Sequence, residues 1–173
     1  MTSNETMVRM GEMAASRDPG RVLVSLGLGS CIGLALVEPR SGVAGLAHVV
    51  LPESAGRDDK LGRFADKAVP ALLSQIERLG AVRPRVKAVL VGGASMFEIG
   101  SAGLDVGPRN EAAVREALKA LGVPIAATET GGNRGRTIRV SVDSGRVTTR
   151  EAGGTEGELF AGTPPHMPLR AAA

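Results

Sequence analysis

The stretch Arg21-Val-Leu-Val-Ser-Leu-Gly-Leu-Gly-Ser30, followed directly by Cys31-Ile-Gly-Leu-Ala-Leu-Val37, decides how this chain folds. Its first six residues form an apolar run typical of a strand, and the glycine-rich end predicts a bend. The second half is apolar throughout, as in a strand that is buried on both faces. Turn residues at 38–42 and a further apolar run over 43–51 predict that a hairpin follows.

The remainder of the domain alternates between helical and extended patterns, which predicts a mixed α/β fold. Apolar residues at spacings of three and four predict a helix over 62–79. A second helix is expected over 111–121, with Asn110 as its N-terminal cap. The remaining segments predict strands at 86–91 and 124–128 and a hairpin made of 137–142 and 146–150.

The composition of the 173-residue, 17.7 kDa chain excludes several protein classes. Three Phe residues and no Trp or Tyr leave too few aromatic faces for a single-stranded nucleic acid platform. No apolar run reaches the roughly 18 residues of a membrane span, and no secretory signal is visible. One cysteine and two histidines make a metal site of these residues improbable, so we predict neither metal nor cofactor. Residues 1–151 are expected to form one domain, and 152–173, rich in Gly, Pro and Ala, a mobile C-terminal tail.

Cys31 is the only cysteine, and it follows the glycine-rich bend directly. Glycines let a substrate approach the backbone, and free N–H groups there stabilise an oxyanion. We therefore take Gly29 and Ser30 as candidates for substrate or oxyanion binding. A thiolate is the nucleophilic form of cysteine, and an imidazole lowers its pKa. The alternative is that Cys31 is only a small buried hydrophobic residue.

His48 lies in an apolar strand, where an imidazole needs a polar partner. The turn at 38–42 lies about midway between Cys31 and His48, so antiparallel pairing would bring these two residues together. The alternative is a core histidine bonded to backbone. His166 lies in the expected tail and is a poor base. Ser25 and Ser30 are candidates for a third group that orients the imidazole, and no acidic residue is obviously placed for that role.

Five motifs carry a family resemblance in the order of the chain: Ser25-Leu-Gly-Leu-Gly-Ser-Cys-Ile-Gly33, Ala47-His-Val-Val-Leu-Pro52, Gly92-Gly-Ala-Ser-Met-Phe97, Gly107-Pro-Arg-Asn110 and Thr130-Gly-Gly-Asn-Arg134. Together they resemble the CheD family of chemoreceptor glutamine deamidases, over roughly residues 7–151. The combination is far more specific than any single glycine motif. The spacing Gly-x-Gly-x-x-x-Gly, by contrast, does not match the dinucleotide-binding fingerprint.

The resemblance implies a fold, a chemistry and partners. The fold is a single-domain three-layer α/β sandwich with mixed sheets, similar to the catalytic domain of deamidating bacterial toxins. The family cysteine falls on Cys31, its histidine on His48, and its catalytic threonine on Ser25. The activity is conversion of receptor glutamines to glutamates through a cysteine thioester. A cytoplasmic location, receptor methylesterase activity and a CheC-type phosphatase partner are also implied.

Two other functions compete with this reading. A relative without catalysis could act as a chemotaxis adaptor that binds receptors or a CheC-like phosphatase, although the presence of Cys31 and His48 argues against it. A basic nucleic-acid-binding module is suggested by composition, with a pI near 9.6. Its basic residues crowd the C-terminal hairpin around the single acid Asp143, and they are Arg134, Arg136, Arg139, Arg146 and Arg150.

Overall fold

The computed structural model describes residues 4–57, 60–96 and 105–163, and within them the chain has the predicted α/β fold. The strands are β1 (Glu5–Met7), β2 (Met13–Ser16), β3 (Val22–Leu28), β4 (Ile32–Glu38), β5 (Val43–Val49), β6 (Lys87–Gly92), β7 (Ile125–Thr130), β8 (Arg136–Ser141), β9 (Val147–Glu151) and β10 (Gly157–Phe160). The α-helices are α1 (Ala65–Arg78) and α2 (Val106–Ala120).

The strands form two mixed five-stranded sheets. The first has the order β1-β3-β8-β9-β10, and the second has the order β2-β5-β4-β6-β7. The β1–β3 and β6–β7 pairs are parallel, and the others are antiparallel. Both helices pack on one face of the second sheet, and the first sheet packs on its other face. The second sheet is therefore buried on both faces, which explains the unbroken apolar runs of its central strands.

The hairpin of β4 and β5 forms as predicted, and every residue of both strands is buried. Its register is two residues away from the predicted one, because His48 lies opposite Gly33 and not opposite Cys31. A shift of two residues keeps each side chain on the same face of the sheet, whereas a shift of one would reverse it. Cys31 and His48 therefore remain on one face as diagonal neighbours.

The strand β3 does not join this hairpin, although the three segments are consecutive in the chain. It belongs to the first sheet, where Ser25 pairs with Ile138 of β8. The glycine-rich segment after β3 consequently carries the chain from one sheet to the other. Cys31 lies at the end of that crossing.

The helix α2 begins earlier than predicted, and the capping role assigned to Asn110 was wrong. Asn110 lies inside the helix and is fully buried. Two residues favour the earlier start. Pro108 falls in the first turn, where its missing N–H is not needed. Gly107 lets the helix approach the loop after β6, since a Cβ at this position would lie 2.4 Å from the Ala94 carbonyl oxygen.

The sequence analysis did not predict three short strands, namely β1, β2 and β10. The last of them corrects the expected mobile tail from residue 152, because Gly157–Phe160 pairs with β9 and extends the first sheet. Such short edge strands carry too few residues for a clear period of two. His166 and Phe97 lie outside the described residues.

Candidate active site

The loop that carries Cys31 is held by hydrogen bonds to three consecutive carbonyl groups, those of residues 29–31. Their donors are the Ala94 N–H to Gly29 at 2.8 Å, the Asn110 Nδ2 to Ser30 at 3.0 Å, and the Gly93 N–H to Cys31 at 2.9 Å. Within the described ranges, no N–H of residues 29–31 donates to a main-chain carbonyl. The loop therefore exposes donors while its acceptors are engaged. An oxyanion site requires N–H groups of this kind, and the assignment of Gly29 and Ser30 to such a site stays a prediction.

Gly92 allows this loop to lie close to the end of β6. It adopts a φ of 112°, which side chains rarely tolerate, and a Cβ there would lie 2.2 Å from the Cys31 carbonyl oxygen. The backbone beside the thiol is therefore tightly packed.

The Cys31 thiol is nearly buried, with 8% of the residue exposed. Desolvation raises its pKa above the ordinary cysteine value, and a hydrogen bond from its own backbone N–H opposes that rise. Burial thus favours the neutral thiol in the resting protein.

His48 lies near the end of β5, with 3% of the residue exposed. Its Nδ1 is 3.3 Å from the main-chain oxygen of Val8, just after β1. A carbonyl can only accept, so Nδ1 carries the proton and Nε2 keeps the lone pair. Nε2 is buried and has no hydrogen-bond partner in the described part of the chain. It is therefore the ring nitrogen that can accept a proton.

The pKa of His48 is lowered, chiefly because burial penalises the imidazolium. The Val8 carbonyl and the negative charge of Glu12 act in the opposite direction. Burial therefore favours the neutral thiol of Cys31 and the neutral imidazole of His48 over an ion pair.

The Ser25 side chain does not bond to the imidazole among the described hydrogen bonds. It is fully buried in β3, and its hydroxyl donates to the Val8 carbonyl oxygen at 2.8 Å. Ser25 and His48 therefore share one acceptor. The sequence analysis missed Val8, and no sequence signal could have identified it, because it contributes only a main-chain atom.

Most arginines of the C-terminal hairpin are paired with acids, which lie at the end of β9 or in other parts of the chain. The N···O contacts are Arg134 to Glu151 at 3.8 Å, Arg136 to Glu151 at 3.5 Å, Arg139 to Glu5 at 3.3 Å and Arg146 to Glu158 at 2.6 Å. This pairing neutralises much of the positive surface that a nucleic-acid-binding module would need. Asp143 is therefore not the only acid near the hairpin.

The described residues contain no helix that is long and apolar enough to cross a membrane. Nor do they bring together three or more His, Cys, Asp or Glu side chains in a group that could hold a metal ion.

These observations define an α/β protein with a buried cysteine and a buried histidine on one sheet face, beside the crossing between its two sheets. A family model described as CheD chemotactic sensory transduction matches residues 50–151. The chemoreceptor glutamine deamidase CheD of Thermotoga maritima is 42% identical over 150 residues, covering 87% of this chain and 94% of that protein. The chain belongs to the CheD family.

Other relatives agree with this assignment. The probable chemoreceptor glutamine deamidase CheD of Clostridium novyi is 38% identical over 157 residues, covering 88% of this chain and 96% of that protein. The corresponding protein of Moorella thermoacetica is 42% identical over 154 residues, covering 86% and 92%. Among solved structures, the Bacillus licheniformis hypothetical protein YfiH matches 68% of this chain and 49% of its own, with a TM-score of 0.45 and 16% identity.

Proposed function

We propose that this protein deamidates glutamines of methyl-accepting chemoreceptors, with Cys31 as the nucleophile and His48 as the general base and acid. The names of relatives about 40% identical support the substrate and the reaction. One observation carries the assignment of residues. The Nε2 atom of His48 is buried, has no hydrogen-bond partner among the described residues, and lies on the same sheet face as the only thiol. An unpaired buried nitrogen costs free energy, which is understandable where it must accept a proton.

In the first half of the reaction, Nε2 takes the Sγ proton as Sγ attacks the carboxamide carbon. The resulting oxyanion accepts hydrogen bonds from N–H groups of residues 29–31. His48 then gives the proton to the amide nitrogen and the C–N bond breaks. Ammonia departs, and the acyl group remains on Cys31 as a thioester.

In the second half, Nε2 removes a proton from water as its oxygen attacks the thioester carbon. The C–S bond breaks, the proton returns to Sγ, and the product is a glutamate. One water is consumed and one ammonia is released for each glutamine, and neither an oxidant nor a cofactor takes part.

Ser25 acts in this proposal through Val8, since both its hydroxyl and Nδ1 of His48 bind the same carbonyl oxygen. By fixing that oxygen, Ser25 orients the imidazole and keeps the proton on Nδ1. It is a positioning residue in the place of the family threonine.

Several finer features remain part of the proposal. The helices, the second sheet and the first sheet are the three layers of the sandwich that the resemblance to deamidating toxins implies. The enzyme acts in the cytoplasm on receptor cytoplasmic domains, and it hydrolyses receptor methyl esters as well. A CheC-type phosphatase is its regulatory partner.

Intact-mass analysis of a receptor cytoplasmic fragment tests the function. Incubation with the wild-type protein should shift the fragment by the mass difference between an amide and an acid at each modified glutamine. Cys31→Ala, with folding verified by circular dichroism, should produce no shift because a methyl group cannot attack a carbonyl. A fragment that binds the wild-type protein but keeps its mass would instead support the adaptor function.

A further inference from the structure

The side chain of Asn110 joins the two strands that carry the proposed nucleophile and base. It projects from α2, is fully buried, and lies 80 residues beyond one of its partners and 60 beyond the other. Its Nδ2 donates to the Ser30 carbonyl at 3.0 Å and to the Val50 carbonyl at 2.9 Å. Ser30 directly precedes Cys31, and Val50 lies two residues after His48. Asn110 therefore bridges the start of β4 and the end of β5.

The bond to Ser30 determines where the N–H of Cys31 points. The Ser30 carbonyl and the Cys31 N–H belong to one planar trans peptide, in which the two groups point in opposite directions. Anchoring the oxygen to Asn110 on the α2 side therefore turns the N–H away from α2. In the proposed mechanism, this N–H is the donor that faces the developing oxyanion.

The carbonyl on the other side of Cys31 is held independently by the Gly93 N–H at 2.9 Å. Both peptide planes flanking the thiol are thus fixed, one by main chain and the other by a side chain. Asn110 is the only side chain donating to a carbonyl of residues 29–31 in the described hydrogen bonds. Its Oδ1 is buried with no partner among the described residues, so the side chain is buried at the cost of an unmet acceptor.

We infer that Asn110 is a positioning residue that orients the Cys31 N–H as an oxyanion donor. Through its second bond, to Val50, it also fixes the position of that donor relative to His48. This inference rests on the proposed deamidase function. It concerns acyl transfer specifically, because an oxyanion forms when a thiolate attacks an amide but not when it displaces iodide from iodoacetamide. The two reactions of the same thiol therefore separate orientation of the N–H from reactivity of the sulfur.

The test compares both reactions in the wild-type protein, Asn110→Ala and Asn110→Ser, using a receptor cytoplasmic fragment for deamidation. Alkylation is measured at the high-pH limit, where the thiol is ionised without help from His48. We expect Asn110→Ala to lower kcat for deamidation by roughly 10- to 100-fold, less than the ~10²–10³ lost when an oxyanion donor is removed outright. KM and the limiting alkylation rate should stay at their wild-type values. Asn110→Ser retains one donor and should recover part of kcat.

Val114→Ala is the matched control, because Val114 is a buried residue of α2 one turn further along that makes no contact with the loop by hydrogen bonding. It should lower thermal stability while leaving the ratio of kcat to alkylation rate unchanged. If both rates fall together in the Asn110 variants, or if the ratio matches that of Val114→Ala, Asn110 has only a structural role. If Asn110→Ala does not fold, the ratio of kcat to alkylation rate in Asn110→Ser distinguishes the positioning role from a purely structural one. Absence of turnover in the wild-type protein would instead overturn the proposed function.

Discussion

At the scale of single residues, burial shifts the pKa values of Cys31 and His48 more than neighbouring charges do. Cys31 and His48 are both nearly enclosed, and desolvation moves their pKa values in directions that favour the neutral forms. A neutral thiol reacts slowly with small electrophiles, because the thiolate is the nucleophilic form.

The neutral pair predicts the pH dependence of alkylation by iodoacetamide. The rate should rise through an inflection above the ordinary pKa of a cysteine, because burial raises the pKa of the Cys31 thiol. His48→Ala should leave this inflection above the ordinary value while removing deamidation, since the base is needed only for turnover. A reactive plateau near neutral pH that disappears in His48→Ala would show an ion pair and contradict this account.

The hydroxyl of Ser25 predicts a graded effect on catalysis. Ser25→Ala removes one of two hydrogen bonds to the Val8 carbonyl but leaves the bond to His48. Since a neutral hydrogen bond contributes about 0.5–1.5 kcal/mol, we expect kcat to fall by up to roughly tenfold. Ser25→Thr should keep turnover, because the hydroxyl stays and the methyl restricts its rotamer. If a folded Ser25→Ala variant has the wild-type kcat, the Ser25 hydroxyl has no role in catalysis.

At the scale of elements, a buried carboxylate joins the β4–β5 turn to the segment between α1 and β6. Glu38 is fully buried and accepts hydrogen bonds from the N–H groups of Ser41 and Val82. It also forms an ion pair with Arg85, at 3.2 Å. Burial alone would raise the pKa of Glu38, but these bonds outweigh it and the pKa is lowered. The hairpin that carries His48 is therefore closed by charge-assisted contacts at its far end.

The lowered pKa of Glu38 predicts how stability depends on pH. A carboxyl whose pKa is lower in the folded protein contributes stability above its ordinary pKa and loses it as the pH falls through the folded value. Glu38→Gln should reduce the free energy of unfolding at neutral pH by about 1–3 kcal/mol, as hydrogen bonds to a charged group are lost. Denaturant titrations at a series of pH values should show this difference shrinking in acid. A constant difference across that range would argue against a charge effect.

At the scale of the whole molecule, local patterns predicted the elements better than their arrangement. Apolar runs and turn residues identified the β4–β5 and β8–β9 hairpins, because both signals lie within a few residues. Pairing of Ser25 with Ile138 joins segments more than 100 residues apart, and no local pattern encodes such a contact. In the site, Cys31 and His48 could be identified by residue type. Asn110 could not, because its role depends on how α2 meets the loop.

The contact that His48 and Ser25 make with Val8 does not depend on which amino acid occupies position 8. Every amino acid carries a main-chain oxygen, so a substitution at position 8 that preserves the backbone path also preserves the acceptor for His48 and Ser25. Selection at position 8 therefore acts on how the side chain packs, whereas the backbone path alone keeps the proton on Nδ1 of His48. A comparison of sequences at this position reports on the side chain and not on the main-chain oxygen that contacts the imidazole.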